Sequence, residues 1–173
     1  MKSLANDCGE SVFLGKMDDG KVLYIRRIES KNSVAIVKRL GQRVPAHCTA
    51  TGLAMMAFMP IEEVDEIVKR HGLVAHNAST VTDYAILKTR LEAVRTNGFA
   101  VVNGEYEEAF LCISAPVFDY TELPCASITV AMLSSQLTQD ANKVQEIGEL
   151  VKKTALSFST ELGSRGTKKV AAH

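Results

Sequence analysis

The sequence has no excess of positive charge and no tryptophan, which argues against one class of partner. Among its 173 residues, 20 Lys and Arg side chains balance 20 Asp and Glu side chains. Domains that hold nucleic acid through its phosphates are usually markedly basic. The basic pairs Arg26-Arg27 and Lys38-Arg39 also lack neighbouring aromatic residues that could stack on bases. We therefore expect no direct contact between this chain and DNA or RNA.

Long apolar runs are also missing. The longest stretch without a charged residue, Val44 to Ile61, is interrupted by a histidine, a glycine and two prolines. It is shorter than the roughly 20 apolar residues that cross a bilayer. The first residues lack the apolar core of a signal peptide. The sequence therefore predicts no membrane partner and a cytoplasmic location.

Neither paired cysteines nor nucleotide-binding glycine motifs are present, so the sequence indicates no cofactor. The four scattered cysteines, Cys8, Cys48, Cys112 and Cys125, are typical of small core residues in a reducing compartment. Two minor alternatives stay open. His47, Cys48 and Cys112 would offer zinc ligands if folding gathered them, and Cys48 could act as a nucleophile with His47 as its base.

The hydrophobic pattern predicts strands and helices in clusters. In chain order we expect three strands, three helices, three strands and a long helix, at Ser11–Met17, Lys21–Ile28, Ser33–Leu40, Thr49–Phe58, Pro60–His71, Thr82–Asn97, Phe99–Val102, Leu111–Phe118, Ala126–Leu133 and Thr138–Leu162. Asp18-Asp19-Gly20 is typical of a hairpin turn and Thr82 of a helix cap. Clustered elements favour an α+β fold, with an antiparallel sheet of about six strands flanked by helices.

One loop and helix start is a candidate anion site. Pro45 lies in a loop that leads into a predicted helix whose first turn is small: Thr49, Ala50, Thr51 and Gly52. Small side chains would let a carboxylate approach the unpaired N–H groups of that turn. The alternative is that Thr49 or Thr51 only caps a core helix.

Two further groups of polar residues have both a functional and a structural interpretation. Glu105, Glu107 and Glu108 could supply acid or base chemistry, or they could form a solvated turn between strands. Ser127 and Thr129 alternate on one side of a predicted strand, where their hydroxyls need partners. Those partners are either a bound polar ligand or, more commonly, neighbouring elements.

Several motifs in a fixed order resemble one family. They are Gly9-Glu-Ser-Val, Val22-Leu-Tyr-Ile-Arg-Arg-Ile-Glu-Ser30, Gly41-Gln-Arg-Val-Pro-Ala-His-Cys-Thr-Ala-Thr-Gly52, Leu53-Ala-Met-Met-Ala-Phe58, Thr80-Val-Thr-Asp83, Arg95-Thr-Asn-Gly-Phe-Ala100, Glu105, Cys112-Ile-Ser-Ala-Pro-Val-Phe-Asp119 and Ser134-Ser-Gln-Leu-Thr138. The chain resembles the C-terminal effector-binding domain of the IclR family of bacterial transcriptional regulators.

The resemblance implies a GAF-like domain over residues 1–163, followed by a tail over 164–173. It implies a curved sheet around a small-molecule pocket, and pairing of domains into dimers or tetramers. It also implies a winged helix-turn-helix ahead of this domain, through which alone the regulator would contact DNA. We therefore favour a fragment of a regulator, and a stand-alone ligand-binding protein is the alternative.

Carried over residue by residue, the resemblance also implies an effector site. It would use backbone and side-chain groups of Thr49, Ala50, Thr51, Glu105, Cys112, Ser114, Thr129 and Ala131, and its apolar wall would be Ile36, Val44 and Phe110. The chain departs from the family pattern where Val102, Asn103, Ala109-Phe110, Leu53 and Ala131 replace residues that are acidic, small or polar in other members. These changes remove polar groups and add apolar surface, so we expect an effector with one anionic end, held at the Thr49–Thr51 turn, and a larger apolar or aromatic body.

Two rival functions remain open at this point. One is a GAF-like thiol enzyme that uses Cys48 or Cys112, and the other is an oligomerisation module without a ligand. We favour a sensor without catalytic activity.

Overall fold

A single curled sheet of six antiparallel strands organises the chain, as the sequence predicted. The computed structural model describes residues 1–29, 40–136 and 141–166. The strand order is β3-β2-β1-β6-β5-β4. The strands are β1 Ser11–Asp18, β2 Lys21–Ile28, β3 Arg43–Pro45, β4 Ala100–Asn103, β5 Phe110–Phe118 and β6 Pro124–Leu133. The sheet confirms the predicted α+β class, since helices flank it on both faces.

Five helices accompany the sheet in the described part of the chain. They are α1 Lys2–Cys8, α2 Ala50–Met56, α3 Ile61–His71, α4 Tyr84–Asn97 and α5 Ala141–Glu161, and a short 3-10 turn spans Ser134–Gln136. None of them, within the described residues, is long and apolar enough to cross a membrane.

The hairpin between β1 and β2 confirms the turn predicted at Asp18-Asp19-Gly20. Lys21 pairs with Asp18, so Asp19 and Gly20 form a two-residue loop, and both have positive φ, at 48° and 72°. Positive φ at both loop residues is the hairpin geometry that Asp-Gly favours.

Several boundaries differ from the prediction. Asp83, and not Thr82, caps α4, because its side chain accepts a hydrogen bond from the Ile86 N–H and the helix begins at Tyr84. The predicted strand Ser33–Leu40 and the predicted start of the last helix at Thr138 lie outside the described residues, except for Leu40, which is in a turn. The sequence missed β3 and α1, since a three-residue edge strand that ends in proline and a one-to-two-turn helix leave little periodicity.

The two faces of the sheet pack against different helices. One face, which we call the α5 face, packs its aliphatic side chains against α5 and α1; its core includes Val12, Ile113, Ile128, Val130 and Met132 from the strands. The opposite face, which we call the α2 face, packs against α2 and α4, and its core includes Phe13, Tyr24, Val102, Cys112 and Ala131. The candidate site residues described below lie on the α2 face.

Candidate functional site

The turn that begins α2 is fixed by its own small residues. Thr49 caps the helix, since its Oγ1 accepts from the Gly52 N–H at 3.3 Å and donates to the Pro45 carbonyl at 2.9 Å. Gly52 is required by close approach: a Cβ there would lie 2.1 Å from the Ala46 carbonyl oxygen. The loop before α2 therefore folds back onto the first turn of the helix.

The same turn leaves two buried N–H groups without an acceptor. The N–H of Leu53 bonds to the Thr49 carbonyl and that of Gly52 to the Thr49 hydroxyl. In the described part of the chain, the N–H groups of Ala50 and Thr51 have no such partner, although these residues are only 1% and 0% exposed. A buried N–H group without a hydrogen-bond partner costs free energy, so this turn is suited to bind an anion or a water molecule that accepts from it.

A chain of buried hydroxyl groups connects α2 to the centre of the sheet. It passes through Tyr24, Thr51, Thr129, Ser114 and Ser127. The oxygen–oxygen distances along it are 3.3, 2.7, 2.7 and 2.5 Å, and the Ser127 hydroxyl donates to the Ala115 carbonyl. The hydroxyls on the inward strand face are therefore satisfied by neighbouring elements, which is the commoner of the two outcomes expected for them.

Gly15 allows this chain to form. β1 has an irregular register between Leu14 and Gly15, directly beneath α2. A Cβ on Gly15 would lie 2.8 Å from the Thr51 methyl carbon. The absence of a side chain lets Thr51 descend far enough to reach Thr129 and Tyr24.

A cavity of about 20 Å³ lies beside the α2 turn. Its lining residues come from β2, the α2 turn, and β4 to β5: Tyr24, Cys48, Thr49, Ala50, Val102, Glu105, Tyr106, Glu107, Phe110 and Cys112. A space of this size holds about one water molecule. The site is therefore closed in this structure, and we refer to it as the α2 cavity.

Glu105, in the wall of the α2 cavity, is neutralised by an ion pair. Arg90 from α4 donates two hydrogen bonds to its carboxylate, at 2.7 and 2.6 Å. The Thr80 hydroxyl donates to the Glu105 backbone carbonyl at 2.6 Å. This bidentate pairing fixes the loop before β5 and leaves little of the carboxylate for acid or base chemistry.

Burial also controls the titration of the neighbouring thiol and imidazole. Burial, together with the nearby Glu105 carboxylate, raises the pKa of Cys48 to about 12. A thiol with such a pKa is a poor nucleophile near neutral pH. Burial lowers the pKa of His47, whose Nε2 donates to the Val74 carbonyl at 3.1 Å.

Among the described residues, no group of three His, Cys, Asp or Glu side chains is arranged to hold a metal ion.

The structure brings part of the predicted effector site together. Thr49, Ala50, Glu105, Phe110 and Cys112 line the α2 cavity. Thr51, Ser114 and Thr129 lie behind it in the hydroxyl chain. Val44 and Ala131 are buried in the core of the α2 face but do not line the cavity, and Ile36 lies outside the described residues.

Sequence reasoning did not find Tyr24, Tyr106 or Arg90 at this site. Tyr24 is on a strand whose alternation already explained its burial, and its hydroxyl partner is remote in sequence. Arg90 is one of several charged residues on α4, and no local pattern marks it as the partner of Glu105. Only the folded arrangement, which brings Tyr24 to Thr51 and Arg90 to Glu105, reveals these roles.

Comparison with known proteins identifies the family. The pattern of the family described as bacterial transcriptional regulator IclR, C-terminal, matches residues 1–160. The chain is 28% identical to the HTH-type transcriptional regulator KipR of Bacillus subtilis over 163 residues, which are 94% of this chain and 64% of KipR. The chain thus spans less than two thirds of this relative.

Solved structures share the fold. The IclR protein of Thermotoga maritima superposes with a TM-score of 0.85 and 30% identity, covering 94% of this chain and 68% of that one. The inducer-binding domain of PobR from Acinetobacter, a double mutant in complex with 3-hydroxybenzoic acid, gives 0.81 and 22%, covering 91% and 92%. The chain belongs to the IclR family of bacterial transcriptional regulators and corresponds to their C-terminal domain.

Proposed function

We propose that this IclR-family C-terminal domain is the effector sensor of a cytoplasmic regulator, and that it binds a small carboxylate with an apolar body at the α2 cavity. Binding would alter how a DNA-binding region elsewhere in the regulator engages its operator. The observation that carries the proposal is the pair of buried N–H groups at Ala50, which lines the cavity, and at the adjacent Thr51; neither has an acceptor among the described residues.

A carboxylate suits this turn because it can accept both N–H groups at once. Two negative side chains line the cavity, Glu105 and Glu107, and Arg90 pairs with the first of them. The hydroxyls of Thr51 and Thr129 already bond to each other at 2.7 Å. The anionic end is therefore best met by backbone N–H groups rather than by side-chain hydroxyls.

The rest of the cavity favours an apolar body on the ligand. Val102, Phe110 and the ring of Tyr24 contribute apolar surface to its wall. Phe110 and Tyr106 are only partly buried, so they can move without exposing the deep core. PobR shows that a domain of this fold can hold an aromatic acid, since its inducer-binding domain was solved with 3-hydroxybenzoic acid.

The small volume of the closed cavity implies a mechanism of sensing. A space of about 20 Å³ cannot hold a carboxylate with an apolar body, so the ligand must select a conformer in which the cavity is larger. A ligand that binds only the open conformer stabilises it relative to the closed one. A coupling of about 1–3 kcal/mol to the arrangement of subunits would suffice for regulation.

Calorimetry with a panel of aromatic and aliphatic carboxylates tests this function. Phe110→Ala should weaken aromatic carboxylates about tenfold and leave small acids such as glyoxylate unaffected, because only the apolar wall changes. Ala50→Leu should abolish binding, whereas Ala85→Leu on the exposed surface of α4 should not. Binding of small polar acids alone would contradict the apolar body, and unchanged affinity in Ala50→Leu would place the site elsewhere.

We also propose that the domain pairs with copies of itself, as its family resemblance implies. An allosteric signal needs two arrangements that the ligand distinguishes, and a change between subunits supplies them. Light scattering with and without the bound carboxylate tests this part. A monomer under both conditions would contradict it.

A further inference from the structure

A second cavity, about eleven times larger than the α2 cavity, lies on the other side of His47. Its volume is about 220 Å³, against about 20 Å³ for the α2 cavity. It is bordered by the β1–β2 turn, the loop before α2, the last turns of α3 and the loop after α3. Its lining residues are Gly20, Lys21, Pro45, Ala46, His47, Met56, Ile67, Val68, His71, Gly72, Leu73, Val74 and His76.

Apolar side chains make up much of its wall. Met56, Ile67, Val68 and Leu73 are buried or partly buried in the described structure and present hydrocarbon surface to the space. An apolar cavity of about 150 Å³ is enough to hold benzene. The second cavity therefore has room for a ligand with one aromatic ring or a branched aliphatic chain.

The polar side chains in the wall are all basic. They are Lys21, His47, His71 and His76, and none of the lining residues is acidic. Within the described part of the chain, Lys21 makes no ion pair with a carboxylate. A negatively charged group on a ligand would therefore meet attraction in this wall and no carboxylate among its lining residues.

His71 adds a polar atom that lacks a partner. Its Nε2 is buried and makes no hydrogen bond with any described residue. The ring packs against Gly20, where a Cβ would lie 2.6 Å from the His71 Cδ2 and would displace the ring. Burial without a hydrogen bond is unfavourable, and a small rotation of the ring toward a ligand would relieve it.

Three aromatic rings separate the two cavities. His47 and His76 lie with ring centroids 6.2 Å apart, and His76 meets Tyr106 edge to face at 5.0 Å. Tyr106 lines the α2 cavity, while His47 and His76 line the larger one. His47 also ties the two loops together through its bond to the Val74 carbonyl. A ligand in one cavity would thus contact the wall of the other.

We propose that the larger cavity is a second binding site, which takes a small monocarboxylate with an apolar ring or chain, and that it is distinct from the effector site at Ala50 and Thr51. Lys21 and His71 would receive the anionic group, and Met56, Val68 and Leu73 would hold the apolar body. This site does not depend on the proposed function, since it shares only the three-ring wall with the α2 cavity.

The test uses benzoate as the probe and ¹⁵N-resolved NMR of the whole chain as the readout. Benzoate should shift the amide signals of Leu73 and Val74 in a saturable way. Signals of Ala50 and Thr51 report separately on the α2 cavity, so the two proposals can fail independently. Benzoate that shifts only Ala50 and Thr51, or no signal at all, would overturn the second site.

Variants then assign the anionic contact. His71→Phe keeps a ring but removes the nitrogen, and it should weaken benzoate at Leu73 and Val74 about tenfold. Lys21→Met should weaken it two- to fivefold, because its ammonium is at the surface. Lys153→Met, which removes an exposed charge from α5, is the matched control and should leave the affinity unchanged.

Three results would contradict the anionic contact. If toluene, which lacks the carboxylate, bound the cavity as tightly as benzoate, the basic wall would have no role in recognition. If Lys153→Met weakened benzoate as much as Lys21→Met, the effect would be general charge screening rather than a site. Equal affinities of wild type and His71→Phe would remove His71 from the site.

Discussion

The two faces of the sheet differ in how they are closed. On the α5 face, Ile128 and Val130 from β6 lie in one buried apolar cluster with Ile147 and Val151 of α5. Thr129 lies between Ile128 and Val130 in sequence, but its side chain is on the α2 face, where its hydroxyl joins the hydrogen-bonded chain. One strand therefore contributes apolar side chains to the core of one face and a hydroxyl group to the hydrogen-bonded layer on the other.

Because the two faces differ in polarity, we assign stability chiefly to one face of the sheet and ligand recognition to the other. Aliphatic packing is strong but does not distinguish one ligand from another. The α2 face keeps unpaired N–H groups at Ala50 and Thr51, and the α2 cavity and the larger cavity beyond His47 border it. We interpret the α5 face as the scaffold and the α2 face as the sensing layer.

The largest effect should come from a cavity-creating substitution in the core of the α5 face. Ile128→Ala should lower the free energy of unfolding by about 3 kcal/mol, because it leaves a cavity in a fully buried aliphatic layer. Urea denaturation measures this loss. Carboxylate affinity at the α2 cavity should hardly change while the protein stays folded. A loss below about 1 kcal/mol would show that the α5 face is not the main source of stability.

A smaller effect should follow from breaking the ion pair beside the α2 cavity. Arg90→Met should cost about 2 kcal/mol, since it leaves the Glu105 carboxylate buried without its partner. Adding Glu105→Gln to this variant should restore part of the loss, because the uncompensated charge is gone. Urea denaturation of the single and double variants checks both statements, and additive losses would contradict the pairing.

Two adjacent residues of β6, one on each face of the sheet, allow the polarity of the two faces to be compared by substitution. Val130→Thr should cost about 2 kcal/mol, because the new hydroxyl is buried in an aliphatic layer without a partner. Thr129→Val should cost about 1 kcal/mol, because Thr51 keeps Tyr24 and Ser114 keeps Ser127 as hydrogen-bond partners. Equal losses in thermal or urea unfolding would mean that the two faces do not differ in polarity.

The smallest expected effect is a pH dependence that arises from His47. Its pKa is lowered in the folded state by burial, so the unfolded chain binds a proton more readily. Stability should therefore be complete above the ordinary histidine pKa of about 6.5 and fall as the pH drops below it. His47→Gln should reduce this loss in urea titrations between pH 7 and pH 5. An unchanged pH profile would assign the dependence to other groups.

The sequence predicted the elements with strong local patterns. The Asp19-Gly20 hairpin follows from turn chemistry, and the extents of β5 and α3 follow from runs bounded by charged residues and glycine. The small residues from Thr49 to Gly52 indicated the α2 turn, and the resemblance to the IclR family added the strand positions around it. These features depend on residues close together in the chain.

What the sequence did not predict depends on distant pairing. Thr51 and Thr129 are 78 residues apart, and Arg90 and Glu105 belong to different elements. The small α2 cavity and the larger one beyond His47 result from how loops close around α2 and α3, which no local pattern encodes. The second cavity was therefore visible only in the structure.

The most direct test of the sensing layer follows the amides of Ala50 and Thr51 by ¹⁵N-resolved NMR. The carboxylate that binds most tightly in the calorimetric panel is titrated into the whole chain. Downfield shifts of these two amide protons, with the signals of Val130 and Ile147 on the α5 face unmoved, are the predicted result. Ala50 and Thr51 signals that stay fixed while the ligand saturates the protein would contradict the account.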